Sequence, residues 1–215
     1  MDIKYRLAKY SDAKALANVH WKVRDRYSQG IFLSLGKQFL VTYYKIILND
    51  PNEVIVCAEK EGGKIVGFSS GTLNSEAQAK NLRKHKIKLL FPALLGILKN
   101  PKLLKEVWLR YKSLNKNSKE TFICKHGARG EYWCWLKNEE CGLKSLEIGH
   151  VKESIMYDLG CREMYFEVDK FNKRVYNLYT KIEKAQLIQE ITLPDGRIRG
   201  LFMKHLQPYK EEKYK

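Results

Sequence analysis

The chain lacks any apolar run approaching the roughly 20 residues that cross a bilayer. Its opening stretch, MDIKYRLAKY, alternates charged and apolar side chains and has no secretion-signal core. A cytoplasmic protein is the expectation. Cysteine is sparse and scattered at Cys57, Cys124, Cys134, Cys141 and Cys161, an odd number with no Cys-x-x-Cys pair. That pattern argues against a disulfide framework and a zinc site, so no metal is expected. Acidic residues nearly vanish from one segment: residues 80–119 hold twelve basic side chains and one acidic one. No internal repeat is present, which excludes solenoids.

What remains is a globular balance, with 44% hydrophobic and 30% charged residues among 215. One domain with an elaboration is the natural reading for that length. The net charge of +16 is concentrated. Residues 1–79 and 120–215 are nearly neutral, and 80–119 stands out as a basic insertion in them.

The order of elements follows from periodicity and punctuation. IKYRLA at 3–8 reads as a strand, and a helix with Ala15, Leu16, Val19 and Val23 on its face follows, with Ser11 placed as N-cap. A second helix carries Leu35, Phe39, Leu40, Tyr43, Ile46 and Ile47 as a stripe closed by Pro51. EVIVCAEK and KIVGFSSGTL read as a hairpin across Gly62–Gly63. The basic segment predicts two or three amphipathic helices, with Asn100–Pro101 opening the last. EYWCWLKN at 131–138 is a strand, and EECG leads to a helix whose face is Ile148, Val151, Ile155 and Leu159 and whose end is capped by Gly160. EMYFEV is a strand, a helix follows from Asn172, and AQLIQEIT and RIRGLFMKHL form a hairpin across Pro194–Asp195–Gly196. The sum is an α/β (α+β) mixed sheet with helices on both faces.

Two places could carry chemistry. The turn WLKNEECGLKSLEIG passes from strand to helix, where unpaired N–H groups and the helix dipole favour an anion. Gly142 permits close approach of backbone, and Lys144 and Ser145 add a charge and a hydroxyl; a loop glycine of no special purpose is the plainer reading. In VDKFNKRVYNLYTK, Asn172 and Tyr179 lie seven residues apart, about two helical turns, on one face. Tyr179 could equally be a half-buried core tyrosine.

In order and in these residues the chain resembles the GNAT N-acetyltransferase superfamily. The family's signature after its fifth strand is Asn, a small residue three on, Tyr four further, then Gly-Phe. Asn172, Val175 and Tyr179 match it in register, whereas Glu183–Lys184 stands at the Gly-Phe position. The family's pyrophosphate loop aligns on Glu139 to Lys144 and keeps its central glycine alone, Gly142. The opening strand and helix, the hairpin VIVCAEKEGGKIVGFSSGTL and the closing RGLFMKHL extend the resemblance over roughly 170 residues.

The resemblance implies a mostly antiparallel sheet with splayed fourth and fifth strands, a helical insert between the third and fourth, and acetyl-CoA as acyl donor. Main-chain groups of Tyr132, Trp133 and Cys134 would hold the pantetheine arm, and amides of Cys141, Gly142, Leu143, Lys144 and Ser145 would cradle the pyrophosphate. Asn172 would bond the pantetheine, Tyr179 would protonate the thiolate, and Glu131 is the nearest candidate base. His20, His126 and His150 are further candidates for that base. The expected acceptor is a small-molecule amine or amino sugar rather than a protein. That preference rests on GIFLSLGKQFLVTYYKIIL beside a basic insert, which resembles a group of bacterial and archaeal GNAT proteins. A non-catalytic GNAT-fold binding module is the alternative.

The insert itself has three readings. Its leucines pack on the domain or on a second subunit, as in a homodimer; or it is an interfacial patch for an anionic membrane surface, peripheral to the bilayer; or it meets an anionic substrate or RNA. Nucleic acid is not the expectation, since glycine and aromatic stacking platforms are missing.

Overall fold

The computed structural model describes residues 3–24, 35–101, 103–104, 127–136, 139, 143–192 and 196–208. In chain order it forms β1 (Ile3–Leu7), α1 (Ala13–Lys22), α2 (Lys37–Ile47), β2 (Glu53–Lys60), β3 (Lys64–Thr72), α3 (Ser75–Lys84) and α4 (Lys86–Lys99). There follow β4 (Arg129–Trp135), α5 (Lys144–Asp158), β5 (Glu163–Asp169), the short α6 (Lys173–Asn177) continued by a π turn (Leu178–Ile182), β6 (Gln186–Thr192) and β7 (Ile198–His205). The strands make one seven-stranded sheet in the order β1-β2-β3-β4-β5-β7-β6. Every neighbouring pair is antiparallel except β4 with β5.

Period-two alternation divides the two faces. On β2, Ile55 and Cys57 enter a cluster with Leu16, Val19, Phe39, Leu40 and Tyr44 of α1 and α2. Val56 and Ala58 turn to the other face, where Ile148 of α5 meets them. On β5, Met164, Phe166 and Val168 join Met156, Phe202 and Ala185 on that second face. Helices thus cover both sides, as the sequence predicts, and the α2 stripe is buried as expected.

Local chemistry sets the boundaries. Gly62 and Gly63 take φ of +81° and +78°, the conformation a tight hairpin needs and side chains resist. Gly160, at φ +97°, closes α5, and the Cys161 N–H reaches back to the Met156 carbonyl at 3.0 Å. Ser11 is not the cap of α1: a 3₁₀ turn over Tyr10–Asp12 precedes the helix, and Asp12 holds the N-cap position. Asp12 is engaged by Arg6 at 2.7 Å instead of capping. The insert begins earlier than its charge suggests. Asn74 caps α3 by accepting from the Glu76 and Ala77 amides at 3.1 and 3.0 Å. The helix expected after Asn100–Pro101, and the turn at 193–195, lie for the most part outside the described residues.

α5 departs from its predicted face. Ile148, Lys152 and Met156, spaced by four, are its buried row, whereas Leu159 is exposed. Val151 and Ile155 are half-buried on its flank. A lysine in that row hid the pattern from a purely apolar search.

His20 is a core residue, 1% exposed, with Nδ1 2.8 Å from the Tyr44 hydroxyl and the Tyr132 ring tilted against it at 4.5 Å between ring centroids. Burial lowers its pKa from 6.5 to about 4. The unfolded chain takes up that proton as pH falls from 6.5 to 4 while the folded one resists, so stability drops across that window. In His20→Gln, Tm should fall less steeply between those limits than in the wild type, a difference measurable by thermal melts at stepped pH.

Candidate active site

The site begins with one extra residue. In β3, Ser69 and Gly71 are two apart, yet their partners in β4, Trp133 and Gly130, are three apart. β4 therefore carries a bulge at Glu131–Tyr132, which bends the strand and unsettles its alternation. The Tyr132 N–H leaves the ladder for the Ser70 hydroxyl at 3.1 Å, and the Leu136 N–H donates to the Val66 carbonyl at 2.9 Å. Both point to β3. By alternation the N–H groups of Trp133 and Trp135 lie on the opposite edge, toward β5.

That edge opens into a wedge. β4 and β5 are paired at Arg129 with Tyr165, supported by the Tyr165 N–H on the Ala128 carbonyl at 3.0 Å. No further ladder pair joins them among the described residues. The splay expected from the sequence is present. Gly130 lies where the two strands are closest, and a Cβ there would meet Met164 Sδ at 3.1 Å.

On the α5 side of the wedge, Tyr179 rests against Phe166 with centroids 4.3 Å apart. Its hydroxyl has no hydrogen-bond partner among the described residues. Burial, then Glu153 and Glu183, push its pKa well above 10, so the phenol keeps its proton at neutral pH. Asn172 is the N-cap of α6, its Oδ1 accepting from the Val175 amide at 3.3 Å. It is exposed. The helix between them is not uniform, because Tyr179 sits in the π turn.

The π turn accounts for the odd residues after Tyr179. The Glu183 N–H bonds to the Leu178 carbonyl, five residues back, at 2.9 Å. The wider turn delays the reversal by one residue, so the left-handed position falls on Lys184, at φ +51°. The buried residue after it is Ala185. Glu183–Lys184 stands where Gly-Phe was expected, and Glu183 is put to another use. It accepts from Lys204 at 2.6 Å and contacts His150 Nε2 at 2.9 Å, while Lys204 also bonds Glu153 at 2.7 Å. Burial opposes ionisation of Glu183, but His150 and Lys204 outweigh it and bring the carboxyl down to about 2. This network ties α5, β7 and the π turn together beside Tyr179.

The first turn of α5 is clamped from two strands. The Tyr5 hydroxyl shares its proton between the Lys144 carbonyl at 2.9 Å and Glu147 at 2.8 Å, and Trp133 Nε1 donates to the Ser145 carbonyl at 2.6 Å. Leu143 and Lys144 are exposed at its mouth. Cys141, Gly142 and Glu140 lie outside the described residues, as does His126. Glu139 is bound by Lys60 and by Lys64, the latter at 2.6 Å. The two lysines lower its pKa and offset its charge, so it does not stand as a bare anion near the helix.

On the α2 side, Glu131 and Tyr132 both turn toward Tyr43, which is what a bulge does to two successive side chains. Arg129 Nη2 holds Glu131 at 2.6 Å, and the Tyr43 hydroxyl is 3.4 Å from its other oxygen. Cys134 is buried in the same cluster. Neighbouring Glu53, bonded by Gln78 at 2.8 Å, is pushed well above the carboxylate range by burial and then by Glu131. It is protonated at neutral pH.

Sequence reasoning missed Lys152. It is 4% exposed, on α5, with Nζ 3.3 Å from Met164 Sδ at the foot of the wedge. Burial lowers its pKa. Glu53 was missed as well; its flanking β-branched run disguises it as a strand-end charge. Among the described residues, no group of three His, Cys, Asp or Glu side chains is placed to hold a metal.

No family model and no curated protein matches the sequence. Solved structures do match the fold. An acetyltransferase of the GNAT family from Bacillus cereus is similar at 8% identity, TM-score 0.56, over 96% of this chain and 99% of that one. A mosquito arylalkylamine N-acetyltransferase-like protein gives 13% and 0.55 over 95% and 100%. The PaiA N-acetyltransferase of Thermoplasma acidophilum, solved with coenzyme A, gives 12% and 0.53 over 95% and 99%. The chain has the GNAT fold.

Because a depressed lysine pKa penalises the folded state below about pH 10, Lys152→Met should raise Tm at neutral pH. The gain should fade as pH climbs toward 10.5, where the unfolded lysine also loses its proton. Thermal melts of both proteins at neutral and alkaline pH check this.

Proposed function

We propose that the chain is an acetyl-CoA-dependent N-acetyltransferase acting on a primary amine of a small molecule or amino sugar. The wedge between β4 and β5 carries the reading: a bulged strand turns main-chain N–H groups into a gap. The protonated Tyr179, whose hydroxyl meets no described partner, lies beside it on the α5 face. The Thermoplasma neighbour's coenzyme A supports the choice of donor.

The described residues fit such a donor. Acetyl-CoA would supply the activated acyl carbon and a thiol leaving group. Of the three residues expected to line the pantetheine with main-chain groups, Trp133 faces the gap, and its N–H would polarise the thioester carbonyl; the Tyr132 amide is committed to Ser70, and Cys134 faces β3 by alternation. The opening turn of α5, Leu143 to Ser145, would receive the pyrophosphate; Cys141 and Gly142, expected to join it, lie outside the described residues. Asn172, whose Oδ1 is committed to its cap, offers Nδ2 to the pantetheine. Tyr179 delivers its proton to the departing sulfur, and Glu131, on the opposite face, takes one from the amine. Donor and acceptor then approach from the two sides of the sheet, which holds them together without mutual crowding.

A melt with acetyl-CoA tests donor binding. At about a hundredfold excess over Kd, Tm should rise by roughly 5–10 °C; absence of any shift at millimolar ligand favours the non-catalytic module. With an amine panel and thiol detection, Tyr179→Phe should lower kcat by about 10²-fold or more while the KM for acetyl-CoA changes little. Glu131→Gln should lower kcat/KM for the amine by a similar factor. An unchanged rate in either variant removes that residue from the mechanism.

A further inference from the structure

The insert carries a feature the acyl-transfer site does not use. α4 has two apolar faces. One is seated: Pro92 is buried, and Leu89, Ala93 and Ile97 pack on the α1–α2 cluster. A Cβ at Gly96 would lie 2.3 Å from the Leu35 carbonyl oxygen, so the helix is drawn against the backbone there. The other face is open. Ile87, Leu90, Phe91, Leu94, Leu95 and Leu98 recur at helical spacing, and Ile87, Phe91 and Leu98 are 76%, 70% and 76% exposed. A helix already docked by one face has no folding reason to carry a second one.

Charge says what covers it. At about 100° per residue, Lys86 and Lys88 fall on opposite edges of the stripe, and Lys99 closes its far end. Lys80, Arg83 and Lys84 of α3 extend the exposed basic surface. No Asp or Glu occurs from residue 77 to 105. We propose that α4 is an interfacial helix that lies flat on an anionic lipid bilayer, its leucines and Phe91 among the acyl chains and its lysines at the headgroups. The stripe from Ile87 to Leu98 is about 17 Å long, fit to lie in the interface and too short to cross it. Among the described residues no helix is long and apolar enough to span a membrane.

Other occupants suit the charge less well. Two copies meeting through this stripe would set their lysine rows against each other with no local carboxylate to pair them. A polyanion such as RNA would engage the lysines and leave the apolar stripe in water. The proposal stands independently of the acetyl-transfer reading.

The test is co-sedimentation of the full chain with vesicles of phosphatidylcholine containing about one third phosphatidylglycerol, against phosphatidylcholine alone. Binding to the first and not the second is expected. The double variant Phe91→Ser/Leu94→Ser should weaken partitioning about tenfold or more, and Lys86→Gln/Lys88→Gln should do so by a similar factor. Both change exposed side chains, so an unchanged Tm certifies their folding. The proposal is overturned if the wild type ignores anionic vesicles, or if both variants bind as the wild type does. It is equally overturned if the wild type forms a dimer that Phe91→Ser/Leu94→Ser dissociates, or binds homopolymeric RNA and not vesicles.

Discussion

The site depends on a constraint of strand pairing. β3 and β4 differ by one residue between Gly71–Gly130 and Ser69–Trp133, and a sheet can absorb that difference only by buckling one strand. The buckle has three consequences that would otherwise need separate causes. It sends the Tyr132 amide to Ser70 and away from the ladder. It brings Glu131 and Tyr132 onto one face, where Tyr43 receives both. It also bends β4 away from β5 after their single registered pair at Arg129 and Tyr165. In an open sheet an unpaired strand edge is a liability; here that edge is internal, flanked by α5 and the π turn.

A wedge of this kind needs bracing on both sides, and the chain braces it with charge. α5 is held at its start by Tyr5 and Trp133, and along its length by the Glu153–Lys204–Glu183–His150 network. Glu183 can take part because the π turn delays the chain reversal by one residue. A glycine at the left-handed position would relieve backbone strain, but Lys184 accepts it. The cost of a non-glycine residue there, on the order of 1 kcal/mol, is set against a carboxylate with two polar partners, His150 and Lys204. Lys152 is the contrasting case: a cation buried beside a thioether, with charged groups acting on it only through space. Such a group lowers stability where it stands.

Element types and order were legible because each signal was local. Alternation over EVIVCAEK, the paired glycines at 62 and 63, and the α2 stripe each act within a few residues. The bulge and the π turn were not legible, because both are defined by partners elsewhere in space. The bulge is a mismatch between two strands some sixty residues apart; the π turn is a single hydrogen bond, Glu183 to Leu178, that no residue type announces. Tyr179 and Asn172 were found from spacing, but their division of labour was not. Asn172 opens a helix, while the Tyr179 ring rests on Phe166 with its hydroxyl unpartnered among the described residues. Lys152 and Glu53 escaped because polar residues in a buried row look like solvent-facing positions until the row is seen.

The basic insert and the wedge meet through α2. α4 packs on the cluster to which α2 contributes Phe39, Leu40 and Tyr43, and Tyr43 in turn reaches Glu131. The helix that presents an apolar, lysine-edged stripe and the carboxylate that faces away from α5 therefore belong to the same side of the sheet. The two sides are chemically unlike. The α5 side offers a helix N-terminus, a protonated phenol and main-chain donors, which suits a polyanionic, extended ligand. The α2 side offers one compensated carboxylate, the neutral Glu53, and aromatic rings, which suits a small cationic or neutral group. A sheet split between β4 and β5 sets two such environments on either side of one gap.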